Sequence, residues 1–113
     1  MNPEIKKKWV DALRSGKYKQ GTGALRRGDS FCVLGVVCDL FSKEYGTPWE
    51  TRNGGSFYFL SKGCSLPAAV LKWMELPKWS NENIQIGARQ TLSSLNDTGF
   101  TFAQLADAIE EQL

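Results

Sequence analysis

The sequence predicts an α+β fold, about four to five helices packed on a small antiparallel β-hairpin or sheet. Three observations carry that expectation. Helical periodicity is strong at both ends of the chain, and an Asn-Gly turn flanked by aromatic residues lies in the middle. The 113 residues, 42% of them hydrophobic, are enough for one core without metal or disulfide staples. No linker, repeat or low-complexity stretch divides the chain, so a single domain over 1–113 is the economical organisation.

Asn2-Pro3-Glu4 opens the first helix: Asn caps, Pro suits the first helical position, and Glu favours the positive end of the dipole. Ile5, Trp9, Ala12 and Leu13 form one apolar stripe, and Gly16 follows it as a terminator, which predicts a helix over about 3–14. Residues 17–27 are polar and glycine-punctuated, with Gly21-Thr22-Gly23 at their centre, and read as extended chain or a loose hairpin. The apolar run from Phe31 to Phe41 has no decisive period, and its valines would also suit a strand. Its length, a Ser30 cap and the closing Tyr45-Gly46 select a buried helix of about 31–44, in which Gly35 allows a close approach.

Trp49 to Thr51, the Arg52-Asn53-Gly54-Gly55 turn and Ser56 to Leu60 form a predicted β-hairpin, with Phe57 and Phe59 alternating toward the core. Ser65-Leu66-Pro67 starts a short helix through about Met74, with Ala68, Val70, Leu71 and Met74 expected inside; Pro77 ends what precedes it. Ile84 and Ile86 alternate over too few residues to secure a strand. Leu92 and Leu95 mark a helix of about 87–95 that stops at Asn96-Asp97-Thr98-Gly99. Thr101-Phe102-Ala103-Gln104 is a capping box, and Phe102, Leu105, Ala106, Ile109 and Leu113 give the last helix, about 102–112, its apolar stripe.

Composition excludes several kinds of chemistry. There is no histidine, which removes imidazole acid/base catalysis, His-activated nucleophiles and His-ligated zinc. Cys32, Cys38 and Cys64 form no CxxC pair and are expected to be buried, reduced thiols of a cytoplasmic protein. No apolar run approaches the roughly 20 residues of a membrane helix. The polar, basic start is unlike a secretory signal. No cofactor and no metal site is expected. Asp29 at a helix start and Asp97 in a turn have local explanations. Asp39, inside the apolar helix, needs a partner, for which Arg26 or Arg27 would serve.

Charge is uneven along the chain. Residues 1–27 carry a balance of +6 and residues 96–113 one of −4, so the two ends either pack together or the basic end faces an anionic partner. Lys17, Lys19, Gln20, Gly21, Gly23, Arg26 and Arg27 are the candidate anion-binding residues: glycines let N–H groups approach phosphate and the cations supply charge. The GK[ST] ending of a P-loop is missing. Trp49, Trp73 and Trp79 are candidates for an interface with another protein or a second copy of the chain. Base stacking on Trp49, Phe57, Tyr58 or Phe59 is a further reading of the aromatic set.

Trp9-Val10-Asp11-Ala12-Leu13-Arg14-Ser15-Gly16, Phe31-Cys32-Val33-Leu34-Gly35-Val36-Val37-Cys38-Asp39-Leu40, Ser65-Leu66-Pro67 and Leu95-Asn96-Asp97-Thr98-Gly99 occur in this order, with Phe102 and Ile109 behind them. This pattern resembles a family of small proteins of tailed phages and bacterial prophages over nearly the whole length. A weaker similarity, in the C-x-L-G core and the N-D turn, extends to other bacterial domains. The resemblance implies a setting, small proteins that act on the host, and assigns no functional residue. The expectation is a non-enzymatic, cytoplasmic accessory protein with a host-takeover or anti-defence role. It would bind a host protein or a phosphate-bearing, nucleotide-like molecule, or alternatively nucleic acid through the basic first quarter, with no membrane partner.

Overall fold

The computed structural model describes residues 1–76, 80–86 and 90–113. Helix α1 spans Pro3–Arg14, as its capping signals require: the Asn2 side-chain oxygen accepts from the N–H groups of Glu4 at 2.9 Å and Ile5 at 3.3 Å. It buries Ile5, Trp9, Val10 and Leu13, and Gly16 beyond it takes φ +75°. Helix α2 spans Val33–Tyr45 and is closed by Gly46 at φ +68°.

The start of α2 departs from expectation. Cys32, not Ser30, is its N-cap, the thiol sulfur accepting from the Gly35 N–H at 3.4 Å, because Ser30 and Phe31 are already held in a sheet. Gly35 is where α2 meets that sheet. A Cβ there would lie 1.8 Å from the Leu25 carbonyl oxygen, so only glycine lets the helix and this strand-bearing segment approach so closely.

Five two- to three-residue strands make the sheet: β1 Lys19–Gln20, β2 Arg26–Arg27, β3 Ser30–Phe31, β4 Glu50–Thr51 and β5 Ser56–Tyr58. Their spatial order is β1-β3-β2-β5-β4, with β1 parallel to β3 and the other pairs antiparallel. Residues 17–27 are therefore extended, as anticipated, yet they do not fold back on themselves as a hairpin. The chain skips over β2's position, and β1 pairs with β3 instead, Gly21 donating to the Phe31 carbonyl at 2.8 Å. The β4–β5 hairpin forms as the sequence indicates, around a 3₁₀ turn at 53–55 in which Gly54 and Gly55 have φ +80° and +84°.

Helix α3 spans Ala68–Met74 and buries Val70 and Met74; Ala68, expected inside, is exposed because it opens the helix on its solvent side. The Ile84–Ile86 alternation does make a strand: β6, Gln85–Ile86, pairs with β7, Gln90–Thr91. Helix α4 spans Leu92–Asp97, shorter than the expected 87–95, since Gln90 and Thr91 are extended and Thr91 caps the helix. Residues 87–89, like Pro77 and Trp79, lie outside the described residues. Helix α5, Phe102–Gln112, carries the full reciprocal capping box between Thr101 and Gln104.

One cluster of buried side chains joins all of this, from Trp9 on α1 through Val33, Val36 and Val37 on α2 to Leu105 and Ile109 on α5. The α1–α5 contact also explains part of the charge asymmetry: Arg14 donates to both Asp107 and Glu110 at 2.6 Å, so one basic residue of the first quarter neutralises acids of the last. No helix among the described residues is long and apolar enough to cross a membrane.

Candidate functional site

The strand register sorts the candidate residues into two rows. Directly paired residues on neighbouring strands share a face, and consecutive residues point to opposite faces. Lys19 pairs with Ser30, Ser30 with Arg27, and Arg27 with Ser56, so a cation–hydroxyl–cation–hydroxyl row crosses four strands. Gln20, Phe31, Arg26 and Phe57 form the next row on the other face. Phe31 is buried, which makes the second row the inner one, whereas Lys19 and Arg27 are exposed on the outer face.

Gln20 and Arg26, expected to bind an anion, are instead part of the framework. The Arg26 guanidinium lies 4.2 Å from the Phe57 ring centroid, 5.1 Å from Phe31 and 5.6 Å from Trp49, and its Nε donates to the Gly28 carbonyl at 2.9 Å. Gln20 donates to the Asn96 side-chain oxygen at 2.9 Å and the Phe100 carbonyl at 2.8 Å, and accepts from the Phe102 N–H at 3.1 Å, fastening β1 to the start of α5. The loop glycines do not offer their N–H groups to a ligand either. Gly21 donates within the sheet, and Gly23 donates to the Asp97 carboxylate at 3.2 Å.

Asn96 is the centre of this fastening and is 1% exposed. Its amide oxygen also accepts from the Val33 N–H at 3.2 Å, and its nitrogen donates to the Gly21 carbonyl at 2.9 Å and to Asp97 at 3.2 Å. A buried amide must find such partners. In the sequence Asn96 reads as part of a turn; the signal for its role is a polar residue directly beside Leu95 on the apolar stripe of α4. Asp97 closes α4, with its carboxylate turned onto Gly23.

Lys17 stands apart from the row. With Lys8, Tyr18 and Lys43 it lines a groove of about 380 Å³ between α1 and α2. Beneath it lies Asp39, whose side chain is 13% exposed. Its partners are not Arg26 or Arg27 but the Tyr18 hydroxyl at 2.6 Å, the Trp49 indole N–H at 3.1 Å and the Lys43 ammonium at 3.3 Å; the Arg26 guanidinium lies instead over the Phe57, Phe31 and Trp49 rings. Burial, then the neighbouring carboxylate, push the Tyr18 hydroxyl above its ordinary value, so it keeps its proton. Asp29 occupies the β2–β3 turn rather than a helix start.

Cys32 and Cys38 are buried, as expected, and burial raises both thiols, Cys32 to about 11. Cys64 is exposed, contrary to expectation, because it lies in the loop after β5 rather than in the apolar run. It lines a cavity of about 280 Å³ on the outer face with Arg27, Ser56 and Tyr58. The Tyr58 ring is packed by Gly63, where a Cβ would come within 2.8 Å of it, and carries the Arg52 guanidinium 4.4 Å from its centroid.

Of the aromatic candidates, Trp49 is packed inward against Phe31 and Phe59. Trp73 stands with Phe41 and the exposed Tyr45 beside a second groove of about 280 Å³. No group of three or more Cys, Asp or Glu among the described residues could hold a metal ion. No curated protein and no solved structure matches the chain. A protein family does match it over residues 1–113, and the chain belongs to that family, the domain of unknown function DUF8296.

Proposed function

We propose that this protein is a phage-type accessory protein of the host cytoplasm that works by binding, and that its ligand carries phosphate and docks on the outer face of the sheet. The observation that carries the reading is the Lys19–Ser30–Arg27–Ser56 row. Two exposed cations with no ion-pair partner among the described residues alternate with two hydroxyls, a donor set suited to phosphate oxygens. Binding rather than turnover is supported by the state of Cys32, Cys38 and Asp39. The buried thiols are held protonated, and Asp39 is enclosed by three donors. The phage setting rests on the sequence resemblance.

The test is titration of the protein with inorganic phosphate and ADP, followed by amide chemical shifts. Shifts should centre on 19, 27, 30 and 56 and vanish in a folded Lys19→Gln/Arg27→Gln variant. Shifts confined to the Lys17 groove, or none at all, would reject the site.

A protein partner is the second reading, favoured by one observation: Tyr45 is 58% exposed beside Phe41 and Trp73. In that case Tyr45→Glu would abolish the complex, or the self-association if the partner is a second copy, without altering the phosphate titration.

A further inference from the structure

We infer that the phosphate-bearing ligand of the sheet face is single-stranded nucleic acid, its backbone lying along the cation–hydroxyl row and one base stacking on the Arg52–Tyr58 pair. This rests on the phosphate-binding reading above and specifies the ligand class of the same site.

Three features argue for it. The row crosses four strands, and at about 4.8 Å between neighbouring strands it is roughly 14 Å long. It is longer than one phosphate needs, and the cavity lined by Arg27, Ser56 and Tyr58 opens on the same face. Along β5, two residues beyond Ser56 and on the same face, stands Tyr58. One side of its ring is packed by Gly63, and the Arg52 guanidinium lies over the ring. A guanidinium 4.4 Å over an aromatic ring forms with it an exposed cation–π surface, and unpaired bases stack on aromatic and guanidinium groups of this kind. In a duplex the bases stack on one another and offer no open plane.

Two of the three acids nearby are engaged elsewhere. Glu50, paired with Tyr58 at the far edge, accepts from the Ser61 N–H at 2.7 Å, and Asp97 is engaged by Gly23 and Asn96; Asp29 is exposed in the β2–β3 turn that joins Arg27 to Ser30, beside the middle of the row. Sequence independence is the expected behaviour, since the row is assigned to the phosphate backbone and stacking accepts the face of any base.

The experiment uses the full chain and four fluorescein-labelled probes of one length: oligo-dT, oligo-rU, the oligo-dT/oligo-dA duplex, and an abasic deoxyribose-phosphate strand. Unlabelled TMP serves as a competitor. Both single strands should bind at least ten-fold more tightly than the duplex or the abasic strand, and TMP should compete only weakly. Lys19→Gln/Arg27→Gln should lower affinity more than ten-fold. It should also make the slope of log K against log salt shallower by about 1.4, the value for two phosphate contacts on a single strand. Arg52→Gln should weaken oligo-dT binding several-fold with little change in slope, and leave abasic-strand binding unaltered, which a phosphate contact or a folding defect would not do.

Equal binding of duplex, abasic strand or TMP would overturn the single-strand inference while leaving the phosphate-binding reading standing. So would a slope change of about 0.7 on Arg52→Gln, the mark of a phosphate contact. Failure of every probe, and of ADP and phosphate, to bind the folded protein would overturn both. Undiminished binding by folded Lys19→Gln/Arg27→Gln would do the same.

Discussion

Arg26 and Arg27 are neighbours in the chain, on one two-residue strand, and the fold uses them in opposite ways. Arg26 faces inward, where Phe31, Trp49 and Phe57 surround its guanidinium and the Gly28 carbonyl takes its Nε–H. Arg27 faces outward between Ser30 and Ser56, exposed. The same contrast separates Gln20, which ties β1 to Asn96 and α5, from Lys19 beside it. A residue's suitability for phosphate is thus decided by strand parity. Gln20 and Arg26 build the scaffold, and Lys19 and Arg27 are presented on it.

The sharpest ways to break this comparison act on the scaffold. Leu105→Asp, which puts a charge at a fully buried position of α5, should leave no folded protein, since burying an unpaired carboxylate exceeds the roughly 5–15 kcal/mol of a whole domain's stability. A native circular dichroism spectrum and melting temperature would show that the core has been misassigned. Gly35→Ala comes next. The added methyl meets the Leu25 carbonyl, which is backbone and has little room to yield, so the loss should reach about 3 kcal/mol or more in denaturant unfolding.

Asn96→Leu removes the partners of Val33, Gly21 and Gln20 together, and should cost about 2–3 kcal/mol by the same measurement. Arg26→Gln should cost about 1–2 kcal/mol through its lost ring contacts, whereas Arg27→Gln should change stability by less than about 0.5 kcal/mol and act on binding alone. Equal effects of the two would dissolve the inner–outer distinction.

The smallest effect concerns the thiols. In the native protein near pH 8, iodoacetamide should modify Cys64 quickly, and Cys32 and Cys38 only on unfolding. The pH dependence follows from the direction of the shift. Cys32 is raised from 9.0 to about 11, so the folded chain holds this proton more tightly than the unfolded one. Its contribution to stability is complete below about pH 9 and is lost as pH rises toward 11. Raised Cys38 and Tyr18 act in the same direction, so the unfolding midpoint should fall across the alkaline range.

Helices with local signals were legible in advance. The Asn2-Pro3 opening, the Thr101–Gln104 capping box and the Gly46 and Gly54 turns each involve residues within a few positions of one another, and each is found where the sequence places it. The start of α2 is not legible locally, because a cap at Ser30 is chemically sound and only pairing with β2 and β1 takes that residue into the sheet. The partners of Asp39 are hidden from the sequence for a similar reason: Arg26 or Arg27 would serve equally well. Its actual donors, Tyr18 and Trp49, lie 21 and 10 residues away and reach it only through packing. For the candidate site, the residue types were legible and their sidedness was not: Lys19 and Arg27 form the row, Lys17 lines another groove, and Gln20, Gly21, Gly23 and Arg26 are engaged within the fold.

What the sequence determined by itself was the α+β class, the helices that cap themselves, and the inventory of cations and aromatics. These depend on hydrogen bonds and periodicities spanning three or four residues, which any stretch of chain carries with it. The tertiary structure alone decided that β1 joins β3 instead of β2, and hence which member of each Lys-Gln and Arg-Arg pair meets solvent. Strands of two residues are too short to show an alternating pattern, so their register was set from outside, by Asn96 gripping Gly21 and Gln20 and by α2 pressing on Leu25 at Gly35.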